Sequence, residues 1–238
     1  MIESSTTQKT FLIAGGSSGI GYQLSCILEK EGHKVIVLSR NRKSLSETIT
    51  HHSVDFSEDV LSFPELEMPL HGIAYLPGSI NLKPFKAFTR ADFIADFSLN
   101  VLGATETIKK YLPNLNKASH SKVVLVSSVA ATIGMPYHAL VGASKGAIEG
   151  LTKTLAAELA PNINVNAIAP SLTDTPMAEK FLNTEEKRNA GMGRHPMQQV
   201  GSAYDMAQLI AFLLSIQANF ISGQIIHADG GMSSIRKF

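Results

Sequence analysis

The chain has 238 residues, 44% of them hydrophobic and 17% charged, which is ordinary for a soluble protein that buries a full core. A formal net charge of +1 gives no electrostatic footprint for a nucleic-acid partner, and a single cysteine excludes an intrachain disulfide. The polar stretch Met1–Lys9 has no signal-peptide core, and the greasiest run, Leu209–Ile216, is too short to span a bilayer. The expected setting is cytoplasmic, with no membrane partner.

Taken in chain order, strands and helices alternate. Phe11–Ala14 reads as a short buried strand, and after a glycine turn comes a helix with Ile20, Leu24, Ile27 and Leu28 on one side. Cys26 falls on that apolar side and reads as buried filler rather than a reactive thiol. Gly15, Gly19 and Gly21 are what a dinucleotide site needs: a tight turn, close approach of backbone to a pyrophosphate, and close packing of helix on strand. The helix N-terminus then offers free N–H groups and a favourable dipole to phosphate. A lone glycine cluster also reads as a plain turn, but here strand, glycines and helix come in the required order.

Further on, His33–Leu38 predicts a second strand, Ser44–Thr50 a short helix and His52–Asp55 a brief third strand. Residues 58–69, with two prolines, predict a broken helix and loop, and Gly72–Leu76 a fourth strand ending at Pro77-Gly78. Arg90–Leu112 has helical spacing, and the β-branched run Lys122–Val126 has the character of a strand covered on both faces. Ala143–Leu159 predicts an amphipathic helix ended by Pro161, Ile163–Ala169 a strand, Asp205–Ile216 a helix and Gln224–His227 a last strand. Unbroken βαβ alternation predicts one α/β domain over residues 1–238, a doubly wound parallel sheet of Rossmann type with helices on both faces. The long 173–199 segment, with two helical pieces, reads as a substrate lid or a surface excursion.

Several of these stretches carry family signatures. Ala14-Gly-Gly-Ser-Ser-Gly-Ile-Gly21 is similar to TGxxxGIG, Lys145 matches the lysine of YxxxK, and Ser127-Ser128 ends the fifth strand as a family serine does. Val165-Asn-Ala-Ile-Ala-Pro170, Ile221-Ser-Gly-Gln and Asp229-Gly-Gly-Met232 follow in the same order. Over nearly its whole length the chain resembles the classical short-chain dehydrogenase/reductases, and in pattern the 3-oxoacyl-carrier-protein reductase-like members. The resemblance implies an oxidoreductase acting on a carbonyl or alcohol, with Ser128, Lys145 and Asn100 as catalytic residues. It implies a dinucleotide held by Gly15, Ser17, Ser18, Gly19, Ile20, Gly21, Ser39, Arg40, Asp55, Gly78, Lys145, Pro170, Thr173 and Thr175. No histidine has metal-ligand spacing, and no metal site is expected.

Three departures stand out. The tyrosine of YxxxK is Val141, the family's NNAG is Tyr75-Leu-Pro-Gly78, and the glycine of a proline-glycine pair is Ser171. In the family the tyrosine hydroxyl protonates the carbonyl oxygen, the lysine holds the ribose and lowers the phenol's pKa, and the serine bonds the carbonyl. Valine has no proton to give. Loss of a general acid costs about 10²–10⁴ in rate, so slow turnover of ordinary ketones is expected. Tyr137, one turn upstream, and the adjacent His138 are candidate substitutes.

Cofactor choice is read after the second strand, where an NAD site wants an acid. Ser39 stands there, followed by Arg40, which suits a 2′-phosphate and favours NADP(H) over NAD(H). Asp55 resembles the family acid that bonds the adenine amino group. Three functions follow: a reductase of a small carbonyl or acyl-type substrate, a non-catalytic NADP(H)-binding regulator or silent subunit, and a non-redox enzyme using the same cleft. The stripe Ala147, Leu151 and Leu155, beside Ala156 and Leu159, is wide enough to serve both the core and a subunit interface, as in a homodimer or homotetramer.

Overall fold

The structure, a computed structural model, describes residues 8–236. Residues 1–7 of the polar N-terminal stretch lie outside the described residues. Seven strands form one parallel sheet: β1 (Thr10–Ala14), β2 (Lys34–Ser39), β3 (Thr50–Ser53), β4 (Gly72–Tyr75), β5 (Ser121–Val126), β6 (Ile163–Pro170) and β9 (Ile225–Ala228). Their order is β3-β2-β1-β4-β5-β6-β9, so the direction of winding reverses between β1 and β4. A crevice at the carboxyl ends of the strands is a topological consequence of that reversal.

Successive residues of a strand face opposite sides, and both sides are covered. Leu12, Ile36, Ile73, Val123 and Val165 meet Ile108 and Tyr111 of helix α3 (Gly103–Asn116) and Ile148 of α4 (Ala139–Leu159) on one face. Phe11, Ile13, Val35, Val37 and Val124 meet Leu24 and Leu28 of α1 (Gly19–Lys30) and Ile210 and Leu214 of α7 (Ala203–Leu214) on the other.

Several local expectations need correction. Ser44–Thr50 forms turns, not a helix: the Ser46 and Thr48 hydroxyls bond each other, and the Thr48 N–H donates to Ser46 Oγ. Such local bonds compete with a helical ladder. The segment is anchored instead by buried Leu45 and Ile49. Residues 58–69 contain no helix and run along α3, whose Tyr111 hydroxyl donates to Pro64 O and whose Asn114 amide donates to Leu66 O and Met68 O. The helix expected over Arg90–Leu112 is interrupted: α2 (Arg90–Phe97) passes through a π-helical turn, Ser98–Leu102, into α3. Helix α4 begins four residues earlier than expected, which puts Val141 in its first turn. Cys26 is only half-buried, since the apolar stripe of α1 is carried by Leu24, Ile27 and Leu28.

The 173–199 segment is built rather than loose. It contains β7 (Thr173–Asp174), which pairs with β8 (Gly201–Ser202), and the short helices α5 (Glu179–Leu182) and α6 (Glu185–Gly193). Among the described residues no helix is long and apolar enough to cross a membrane.

Candidate active site

A cleft of about 380 Å³ opens over the carboxyl ends of β1, β2, β4, β5 and β6. Every residue that the resemblance assigns to the dinucleotide lines it: Gly15, Ser17, Ser18, Gly19, Ile20, Gly21, Ser39, Arg40, Asp55, Gly78, Lys145, Pro170, Thr173 and Thr175. Gly15 turns the chain with φ of 75°, a conformation that costs glycine nothing. A Cβ on Gly21 would stand 2.3 Å from the Gly15 carbonyl oxygen, so helix and turn meet only through glycine. Ser18, the N-cap of α1, makes no side-chain cap bond, and the first turn of the helix faces the cleft. That pairing of free N–H groups and helix dipole fits a pyrophosphate.

At the far end, Arg40 and Lys43 line the cleft where β2 ends. The Ser39 hydroxyl is held by Asn41 O at 3.1 Å and faces His51 Nε2 at the same distance. Asp55 accepts from the Ser57 hydroxyl at 2.6 Å and the Ser57 N–H at 2.9 Å. Those bonds, with a smaller pull from Arg40, hold its carboxyl below the usual carboxylate range.

The near end is a buried polar nest. Lys145 Nζ donates to Val126 O at 2.9 Å, and burial pushes its ammonium down to about 8 against the opposite pull of Asp96. Asn100 sits in the π turn and is 1% exposed; its amide donates to Asp96 O at 2.9 Å. Among the described residues Asn100 Oδ1 has no partner, nor has Asp96 Oδ2, while Asp96 Oδ1 accepts from the Ser79 hydroxyl. A Cβ on Gly78 would meet Asn100 Oδ1 at 3.1 Å and Lys145 Nζ at 3.4 Å. Neither Asn100 nor Asp96 lines the cleft, so the two buried acceptors lie beneath its wall, and a buried water is the partner that would satisfy them. Asp96 was not singled out in the sequence; its only signal there is the helical i, i+4 spacing to Asn100.

A second cavity, about 280 Å³, continues from the first. Ile80, Ser128, Val141, Ser171 and Leu172 line both, so they mark the junction. Ser128 caps a 3₁₀ turn, accepting from the Ala130 N–H at 3.2 Å. Ser127 points away, with its hydroxyl donating to Glu149 at 2.8 Å. Tyr137 has φ of 70°, is 60% exposed and lines neither cavity, because α4 starts only at Ala139. His138 lines the second cavity, with Nδ1 donating to Pro136 O. One group beside the junction was missed: His195 on the wall of the second cavity, 1% exposed, with Nε2 2.8 Å from Ser171 Oγ. It lies 24 residues away on the far side of α6, beyond any local pattern.

Known proteins share this fold and much of the sequence pattern. The family model described as enoyl-(acyl carrier protein) reductase matches residues 56–233. A 3-oxoacyl-[acyl-carrier-protein] reductase FabG of Thermotoga maritima is 31% identical over 94% of this chain and 97% of its own length. A tropinone reductase homolog of Arabidopsis thaliana is 30% identical over 94% of this chain and 79% of its own. Among solved structures, the ligand-free aldohexose dehydrogenase of Thermoplasma acidophilum superposes with a TM-score of 0.87 at 25% identity, covering 97% of this chain and 96% of its own. ElxO with NADP bound superposes with a TM-score of 0.85 at 28% identity, covering 96% and 100%. Sequence and fold therefore agree, and the chain belongs to the classical short-chain dehydrogenase/reductase family of NAD(P)-binding oxidoreductases.

Proposed function

We propose that the protein is an NADP(H)-dependent reductase of a small carbonyl compound. The observation that carries the reading is the continuous cleft: a glycine-floored cavity joins a second cavity at Ser128, with Lys145 beneath the junction. NADPH, when bound, supplies a hydride. Lys145 would hold the ribose, Ser128 would donate to the carbonyl oxygen as charge develops there, and the glycine turn would seat the pyrophosphate. Lys180, Lys187 and Arg194 line the second cavity, and no carboxylate does among its described residues. That wall suits a carbonyl compound bearing an acidic group. The test is NADPH oxidation with a panel of neutral and acidic ketones and acyl thioesters; tight NADPH binding with no turnover of any of them would overturn the reductase reading and favour the nucleotide-binding regulator, the reading that Val141 supports, over it.

The cofactor preference rests on Arg40 and Lys43 at the ribose end and on the absence of an acid at Ser39. ElxO, a similar fold, was solved with NADP bound. Arg40→Ala is expected to weaken NADPH by about 1.5–3 kcal/mol and leave NADH nearly unchanged, since only the former has a 2′-phosphate to lose. Fluorescence titration of both cofactors reads this out, and equal losses would overturn the assignment.

A homo-oligomer is the expected assembly, and the stripe read in the sequence is only half-buried, so it can serve both core and partner. Ala147, Leu151, Leu155 and Leu159 pack against the core. The outward face of α4 is Gly146 and Gly150, open to close approach, beside α2 with exposed Ile94 (54%) and Phe97 (41%). Light scattering at micromolar concentration should give a dimer or tetramer, and Phe97→Lys should shift it toward monomer.

A further inference from the structure

We propose that Ser171 and His195 form a proton-transfer pair that takes the place of the missing tyrosine; this rests on the reductase reading above. His195 Nδ1 is 2.8 Å from the Gly191 carbonyl, which can only accept, so Nδ1 carries a hydrogen. In the neutral ring Nε2 is then an acceptor, and the Ser171 hydroxyl, 2.8 Å away, donates to it. When the ring gains its second proton, Nε2 donates to Ser171 Oγ and the serine hydrogen is free to turn into the junction. Ser171 stands in that junction with Ser128 and Val141, while His195 lies buried behind it on the wall of the second cavity.

The step balances. NADPH, when bound, would supply a hydride to the carbonyl carbon, and the C=O π pair would move to oxygen. That oxygen takes the Ser171 proton, and Ser171 Oγ takes the proton from His195 Nε2, leaving neutral imidazole with Nδ1–H still on Gly191. The ring is reprotonated from solvent. Alcohol oxidation is the reverse, with neutral His195 as the acceptor. Ser171 is the acid that touches substrate; His195 acts through it. The arrangement also accounts for a serine standing where the family pattern has glycine. Tyr137 and His138 are weaker candidates, the first outside the cleft and the second held on Pro136 O.

Four variants, read against wild type and against Val141→Tyr alone, test the pair: Ser171→Gly, His195→Gln, and each combined with Val141→Tyr. In the wild-type background Ser171→Gly and His195→Gln should each lower kcat about 10²-fold, with KM and NADPH affinity unchanged. In the Val141→Tyr background each loss should shrink to a few-fold, because the phenol supplies the proton. In the cofactor-free protein, imidazole ¹H–¹⁵N spectra should show Nδ1 protonated and an Nε2 signal that moves in Ser171→Gly. Wild-type kcat in Ser171→Gly, an Nε2 signal indifferent to it, or equal losses in both backgrounds would overturn the pair. If Val141→Tyr turns over and the wild type does not, the pair fails while the reductase cleft stands. If neither turns over although both bind NADPH, the reductase reading itself fails.

Discussion

Val141→Tyr is expected to raise NADPH-dependent carbonyl reduction about 10²-fold, the low end of what a well-placed general acid contributes. Val141 lies in the first turn of α4, four residues before Lys145, so a phenol there would stand one helical turn from the ammonium. The cation would favour the phenolate and lower the hydroxyl's pKa toward the working range. A serine–histidine route must move two protons through an alcohol, a poorer acid than such a phenol. Steric fit decides the outcome. Val141 is 7% exposed but lines both cavities, so the larger ring has the cleft to occupy rather than the core. Steady-state NADPH oxidation with a thermal melt on the same samples checks it. A lower melting temperature with no gain in rate would mean that the ring is overpacked; an unchanged melt with no gain would mean that proton delivery does not limit turnover.

What the sequence makes legible follows from range. The sheet order was implicit in the βαβ alternation, because parallel strands need crossovers and the right-handed rule leaves few topologies. The glycine turn was legible because its three requirements are local and separately imposed: φ of 75° at Gly15, no space for a Cβ at Gly21, and an uncapped helix start. Local competition defeated the Ser44–Thr50 helix, since neighbouring hydroxyls captured the backbone there. The π turn at Asn100 has no periodicity of its own; it shows in sequence as an ordinary amphipathic stretch, yet it buries the Asn100 amide one turn beyond Asp96.

The junction was the least legible part. Val141 was visible as a departure because it breaks a pattern whose two defined residues stand only four apart. His195 is visible only once α6 has folded back and carried it to Ser171. Pairings across 24 residues leave no periodic trace, and a lone histidine in a polar loop is more often structural. The orphaned Asp96 and Asn100 oxygens are hidden for the same reason, since their burial depends on how the π turn packs near Gly78.

Lys145→Met is expected to make the protein more stable at neutral pH and nearly inactive. The Lys145 ammonium is buried, and burial outweighs the attraction of Asp96, so it titrates near 8 when folded and near 10.5 when unfolded. The unfolded chain therefore holds the proton more tightly over that interval. Stability is lowest below pH 8 and climbs as pH rises toward 10.5, by roughly 3 kcal/mol in all. Methionine has nearly the same length and carries no charge to desolvate. It gives up the bond to Val126 O, so the net gain at pH 7 should be about 1–3 kcal/mol, and the climb with pH should flatten. Lys122, also pushed down to about 8, contributes its own climb to both proteins, so the difference between them isolates Lys145. Activity should fall at least about 10²-fold and NADPH affinity about tenfold, if Lys145 is the charged donor to the ribose proposed above. Urea unfolding at pH 7 and pH 10, with NADPH titration on both proteins, reads all of this. A variant less stable than wild type at pH 7, or one that keeps the full climb, would show that the buried ammonium stabilises the fold rather than being held in the cleft at the fold's expense.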